Sequence, residues 1–183
     1  MKKIFIAAGH SPSKPGAQGN GYKEELLAIE LVDLIVAELK ALGVNPVVDN
    51  HQNDLSKTTA FFRNLLSINS IVLDIHWNAA GIAAATGTET LIPAQYTKFE
   101  YNLAAELSNA VSRTLGIRMR GEQGVKTEAD SHHGRLGWMR LTGENVLMEI
   151  CFITNPVDMQ KYQANKLQLA KNIALILKNN SQK

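Results

Sequence analysis

Ile4-Phe5-Ile6-Ala7-Ala8-Gly9-His10 and Ile71-Val72-Leu73-Asp74-Ile75-His76 are two short apolar runs that each end on a histidine. Both have strand length and β-branched content, so each reads as a buried strand. A third run, Asn145-Val146-Leu147-Met148-Glu149-Ile150, has the same character but carries a carboxylate. Helical patterns lie between them. Leu27, Leu31, Leu34, Ile35, Leu39 and Leu42 repeat at helical spacing over residues 23–42, and Gly43 and Pro46 follow as stop signals. Alternating strands and helices predict an α/β fold with three layers, a mostly parallel twisted sheet flanked by helices on both faces. In such sheets ligands bind beyond the carboxyl ends of the strands. His10, His76 and Glu149 therefore fall on one edge.

Outward from these runs, Pro46-Val47-Val48 reads as a short strand and residues 57–67 as a helix. Residues 86–92 are β-rich, and 96–115 form a second long helix closed by Gly116. Residues 118–144 are polar, punctuated by glycines, and contain the pair His132-His133. Residues 165–178 are a final amphipathic helix, with Leu167, Ala170, Ile173, Ala174 and Leu177 on one face. No internal repeat or linker interrupts the pattern, and the reading is one catalytic domain over residues 1–183.

The chain has 183 residues, a net charge of +2 and one cysteine, Cys151. A single cysteine excludes an intramolecular disulfide and a cysteine-cluster zinc site. There is no basic run of the kind that marks a nucleic-acid footprint. No window reaches the ~18 apolar residues of a membrane span. The apolar stretch after Lys2-Lys3 is too short for a secretory signal and leads straight into His10, so it is read as a strand rather than a leader. Action outside the cytoplasm would then need release or another export route.

Hydrolytic zinc takes three protein ligands from His and Asp/Glu and keeps a position for water. His10 and His76 are natural nitrogen ligands. Glu24 and Glu25, opening the first long helix, are both placed to supply the third, although first-turn glutamates also serve the helix dipole alone. Glu149 interrupts an apolar strand, where burial raises a carboxyl pKa toward that of a general base. A buried ion pair with Arg135 or Arg140 is its competing explanation. Asp74 shares a strand face with His76; it is either an orienting partner of that ligand or an ordinary polar end residue. Cys151 reads as a small buried hydrophobe, and Trp77 and Trp138 as packing or substrate-facing aromatics.

These motifs make the chain resemble the zinc-dependent N-acetylmuramoyl-L-alanine amidases of the amidase-3 family. Gly9-His10 with Pro15-Gly16-Ala17-Gln18-Gly19 matches the first family motif, and Gly21-Tyr22-Lys23-Glu24 the second. Ile75-His76-Trp77-Asn78, Gly87-Thr88-Glu89 and Glu149-Ile150-Cys151-Phe152-Ile153-Thr154-Asn155 follow in family order. Arg63 sits where the family tends to carry arginine, and Gly124-Val125-Lys126 echoes a family Arg-Gly-Val-Lys segment with Arg120 displaced. Ser11-Pro12, Asp74 and Cys151 replace the family's Gly-Gly, Ser and Gly. The resemblance selects Glu24 over Glu25. It implies one zinc ion held by His10, Glu24 and His76, with Glu149 as catalytic base. Asn78 is read as a substrate or oxyanion contact, and His132-His133, which has no clear family counterpart, as a candidate substrate-contact loop. The resemblance further implies hydrolysis of the amide between N-acetylmuramic acid and L-alanine in peptidoglycan, in wall lysis or remodelling. A bare catalytic domain would suit a phage or prophage endolysin or an unconventionally released host enzyme, and the chain is taken as a monomer. A zinc peptidase or deacetylase, or a non-catalytic wall-binding module, are the alternatives.

Overall fold

The computed structural model describes residues 1–131 and 134–183. Its centre is a sheet of six strands: β1 (Lys3–Ala8), β4 (Val47–Val48), β5 (Ser70–Asn78), β6 (Glu89–Ile92), β7 (Val125–Thr127) and β8 (Glu144–Phe152). Their spatial order is β4-β1-β5-β8-β6-β7. β4, β1, β5 and β8 are parallel, whereas β6 pairs antiparallel with β8 and parallel with β7. The expected mostly parallel sheet is present, with one reversal at β6. A two-stranded ribbon, β2 (Gln18–Gly19) with β3 (Tyr22–Lys23), leads into α1 (Glu24–Ala41).

The two faces of the sheet are covered unequally. α1, α3 (Lys98–Leu115) and α4 (Pro156–Ser181) pack on one face. Their Leu31, Ile35, Leu103, Leu107, Ile173 and Leu177 meet Ile4, Ile6, Ile71, Leu73, Val146 and Met148 of the strands. The other face carries α2 (Leu55–Arg63) and a 3₁₀ turn at Gly137–Arg140 over a smaller core of Phe5, Ala7, Phe62, Val72, Leu91, Trp138 and Leu147. Phe62 sits edge-on to both Phe5 and Trp138. The alternation of side chains along a strand thus sends odd-numbered residues of β5 into the large core and even-numbered ones toward the small core.

Helix starts are where the structure extends the sequence reading. α3 begins at Lys98 because Thr97 and Glu100 form a reciprocal capping box. α4 starts at Pro156, well before the expected 165. Asn155 caps the Val157 and Asp158 amides, and Pro156 occupies the first turn, where it sacrifices no helical hydrogen bond. α1 lacks a side-chain cap. Instead the Glu24 and Glu25 amides donate to the Ala17 and Pro15 carbonyls, which ties the preceding loop to the helix start. No helix among the described residues is long and apolar enough to cross a membrane.

Candidate metal centre

Three strands change character as they climb the less-covered face. On β5 the sequence of one face is Val72, Asp74, His76, Asn78; on β8 it is Leu147, then Glu149; on antiparallel β6 it is Leu91, then Glu89. Apolar residues floor the cleft and polar ones line its rim. Register sets the rim side by side: His76 pairs with Glu149, and Glu149 with Glu89. The cleft has a volume of ≈ 940 Å³ and is lined by His10, Glu24, Asp74, His76, Glu89 and Glu149 among others.

Glu24 is buried, and each of its oxygens is doubly engaged. Oε2 accepts from the Ala17 amide at 2.8 Å and faces His10 Nε2 at 3.3 Å. Oε1 accepts from the Trp77 amide at 2.9 Å and faces His76 Nδ1 at 3.1 Å. Burial pushes the Glu24 carboxyl up, but hydrogen bonds and charge from His10 and His76 outweigh it and hold it well below the ordinary carboxylate range. One ligand atom from each of His10, Glu24 and His76 lies within 4.8 Å of the others. Two imidazole nitrogens and a carboxylate oxygen are the donor set that hydrolytic zinc takes.

The donor chemistry fits a cation. The outer nitrogen of His10, Nδ1, faces the Lys14 carbonyl at 3.2 Å, and that of His76, Nε2, faces Asp74 Oδ2 at 3.1 Å. Both outer partners are acceptors, so with a cation at the centre each neutral ring would direct its N–H outward and a lone pair inward. Two lone pairs and a carboxylate then converge on one point. Positive charge is favoured there: burial depresses the His76 pKa, yet Asp74 and Glu24 raise it well above 6.5. Two glycines make room for this packing. A Cβ on Gly9 would fall on the His76 ring, and one on Gly16, where φ is +71°, would lie 2.5 Å from Glu24 Oε2.

Glu149 stands beside this cluster without an ion pair among the described residues, and its Oε2 is buried and unbonded. Burial raises its pKa to about 8, opposed by the charge of His76. The alternative of a salt bridge to Arg140 does not hold: Arg140 pairs with Glu128 at 2.9 Å. Asn78 lines the cleft, but its amide donates to Glu89 Oε1 at 3.1 Å. Glu89 also accepts from Arg120 Nε at 2.8 Å and Lys126 Nζ at 2.6 Å. Burial raises the Glu89 pKa, and Lys126, Arg120 and Asn78 together bring it below normal. This cluster was marked in sequence only by separate fragments, Gly87-Thr88-Glu89, Arg120 and Lys126. The insertion between the last two hides that both reach one carboxylate.

The remaining candidates fall away from the cluster or beyond description. His132 and His133 lie outside the described residues. Trp77 and Cys151 are core residues, and Trp77 packs edge-on to Tyr162. Trp138 is buried but reaches the cleft wall. Arg63 is exposed at the end of α2 and does not line the cleft. His51 pairs with Asp33 at 3.1 Å, away from the cleft.

Comparison with known proteins identifies the family of the chain. The family described as N-acetylmuramoyl-L-alanine amidase, Amidase_3, matches residues 4–179. The uncharacterized protein YqiI of Bacillus subtilis is 30% identical over 171 residues, 91% of this chain and 78% of YqiI. The N-acetylmuramoyl-L-alanine amidase LytC of the same organism is 28% identical over 160 residues, covering 86% of this chain but only 31% of LytC. Among solved structures, an assigned N-acetylmuramoyl-L-alanine amidase of Neisseria meningitidis superposes with a TM-score of 0.81 at 26% identity, covering 96% of this chain and 93% of that one. The catalytic domain of CwlV from Paenibacillus polymyxa shares the fold, with a TM-score of 0.77 at 21% identity over 98% and 97% of the two chains. The chain is a member of the Amidase_3 family of N-acetylmuramoyl-L-alanine amidases.

Proposed function

We propose that this protein hydrolyses the amide between N-acetylmuramic acid and the L-alanine of the peptide stem, with one zinc ion held by His10, Glu24 and His76. The observation that carries the proposal is the convergence of these three ligands within 4.8 Å beside Glu149, a carboxyl whose pKa burial moves to about 8. Zinc, when bound there, supplies Lewis-acid polarisation of the scissile carbonyl and lowers the pKa of a water toward ~7. Glu149 accepts the proton of the attacking water and delivers it to the departing amine. A carboxyl tuned near the working pH suits both transfers, and the charge of a neighbouring cation favours its ionised form before the reaction. Arg120, Lys126 and Asn78 hold Glu89 in place across the rung from Glu149. They keep that wall of the cleft polar.

The test is a digest of purified peptidoglycan by protein stripped of metal and then resupplied with zinc, with products read by mass spectrometry. The expected products are intact stems with a free L-alanine amine, formed only after zinc is returned. Products cut within the stem, or sugars that have lost only acetyl groups, would replace the amidase reading by a peptidase or deacetylase.

A further inference from the structure

The two histidines at the metal centre are backed differently. His10 Nδ1 faces a neutral carbonyl, that of Lys14, whereas His76 Nε2 faces a carboxylate, that of Asp74. Asp74 is 2% exposed, and among the described residues its single hydrogen-bond partner is His76; its second oxygen, Oδ1, is buried and unbonded. Its neighbours across the sheet are Ala7 on β1 and Leu147 on β8, both in the small apolar core. A buried carboxylate between two apolar neighbours is costly unless it is matched by positive charge. Among the described residues, the one group in hydrogen-bond reach is the ring whose other nitrogen points at Glu24.

We propose that Asp74 is a positioning residue for the metal centre. It accepts the Nε2–H of His76, fixes that tautomer and ring angle, and presents Nδ1 to the metal with the added basicity a carboxylate partner confers. Chain geometry makes this economical. Asp74 and His76 are two apart on one strand, so they project from the same face, and the ring reaches back over Gly9 to lie against the carboxylate. This role rests on the proposal that His76 is a metal ligand. It adds that the ligating nitrogen is Nδ1 and that a residue outside the ligand set determines it.

The test uses the full chain stripped of metal, with zinc affinity measured by competition against a chromophoric chelator. Nitrogen-15 NMR of the zinc- and cadmium-113-loaded protein then reads which His76 nitrogen bears metal and which bears hydrogen. The wild type should carry metal on Nδ1 and a slowly exchanging proton on Nε2. Asp74→Ala should lose the protected N–H signal and weaken zinc by about 10–100-fold. Asp74→Asn retains an acceptor oxygen, so it should keep the N–H signal and lose less affinity. Its near-identical shape also carries the test if the alanine variant does not fold. Zinc affinity unchanged in both variants, or metal on His76 Nε2 in the wild type, would overturn the proposal for Asp74 alone. A wild-type protein that takes up no zinc would overturn the metal centre itself, and the role of Asp74 with it.

Discussion

Replacing Glu149 by glutamine should stabilise the metal-free protein at neutral and alkaline pH while removing its chemistry. The unfolded chain titrates this carboxyl near 4.5, and burial beside Glu24, Glu89 and Asp74 moves it to about 8 in the fold, against the opposing charge of His76. A raised folded pKa gives stability that is complete below the unfolded value. Between pH 4.5 and 8 the unfolded state releases the proton and the folded state keeps it, so stability falls as pH rises. Above about 8 the loss is complete. At 1.36 kcal/mol per pH unit the interval amounts to about 5 kcal/mol as an upper bound, since water reaching the cleft screens part of it. That is comparable with the whole stability of a marginal domain. The glutamine side chain does not titrate, so the difference between variant and wild type isolates the carboxyl. Urea unfolding of both metal-free proteins from about pH 4 to about pH 9 should give curves that coincide at the acid end and separate by a few kcal/mol by about pH 8. Parallel curves across this range would refute the claim that Glu149 is held neutral by its surroundings. The same variant should still take up zinc, and turnover retained in it would remove Glu149 from the base role.

Other perturbations address the scaffold of the site. Gly9→Ala should leave far-ultraviolet circular dichroism unchanged but weaken zinc uptake by about tenfold or more, an effect on the order of losing an orienting partner, because the new methyl occupies the His76 ring position; competition titration with a chelator checks it. Asp158→Ala should cost about 3 kcal/mol in chemical denaturation. It removes the acceptor of the Thr86 hydroxyl at 2.6 Å and of the Phe152 and Gly87 amides at 3.2 and 3.3 Å, which tie the start of α4 to the end of β8 and to the loop before β6. Zinc at about a hundredfold excess over its dissociation constant should raise unfolding stability by about 2.7 kcal/mol. Thermal melts with zinc and with chelator should therefore separate for the wild type and coincide for Glu24→Ala.

The apolar strands and their terminal histidines were legible because burial and sheet position act through short stretches of sequence. Ile4 to His10 and Ile71 to His76 carry both the core and the proposed ligand in adjacent residues. The early start of α4 was harder to read. Pro156 looks like a breaker until Asn155 is seen capping the amides behind it, and only Met159 and Tyr162 mark an apolar face in the first turns. The reversal of β6 has no local signature, since Glu89–Ile92 would alternate in the same way in either direction. The contacts of Glu24 with Trp77, and of Glu89 with Arg120 and Lys126, bring together residues far apart in the chain. Motif order singled out several of these residues, but only the folded loop shows what they touch.

The parity of β5 has a consequence for how this enzyme tolerates change. Ile71, Leu73, Ile75 and Trp77 hold the large core, while Asp74, His76 and Asn78 carry the rim of the cleft. Changes along this strand therefore sort into two kinds, those that disturb the cores at Ile71, Val72, Leu73, Ile75 and Trp77 and those that alter the cleft rim at Asp74, His76 and Asn78. A slip of one residue in the pairing with β1 or β8 would exchange the two sets, turning charged groups into the core and apolar ones into the cleft. Selection for a working site and selection for a correct sheet thus act on the same register, and neither can drift without the other.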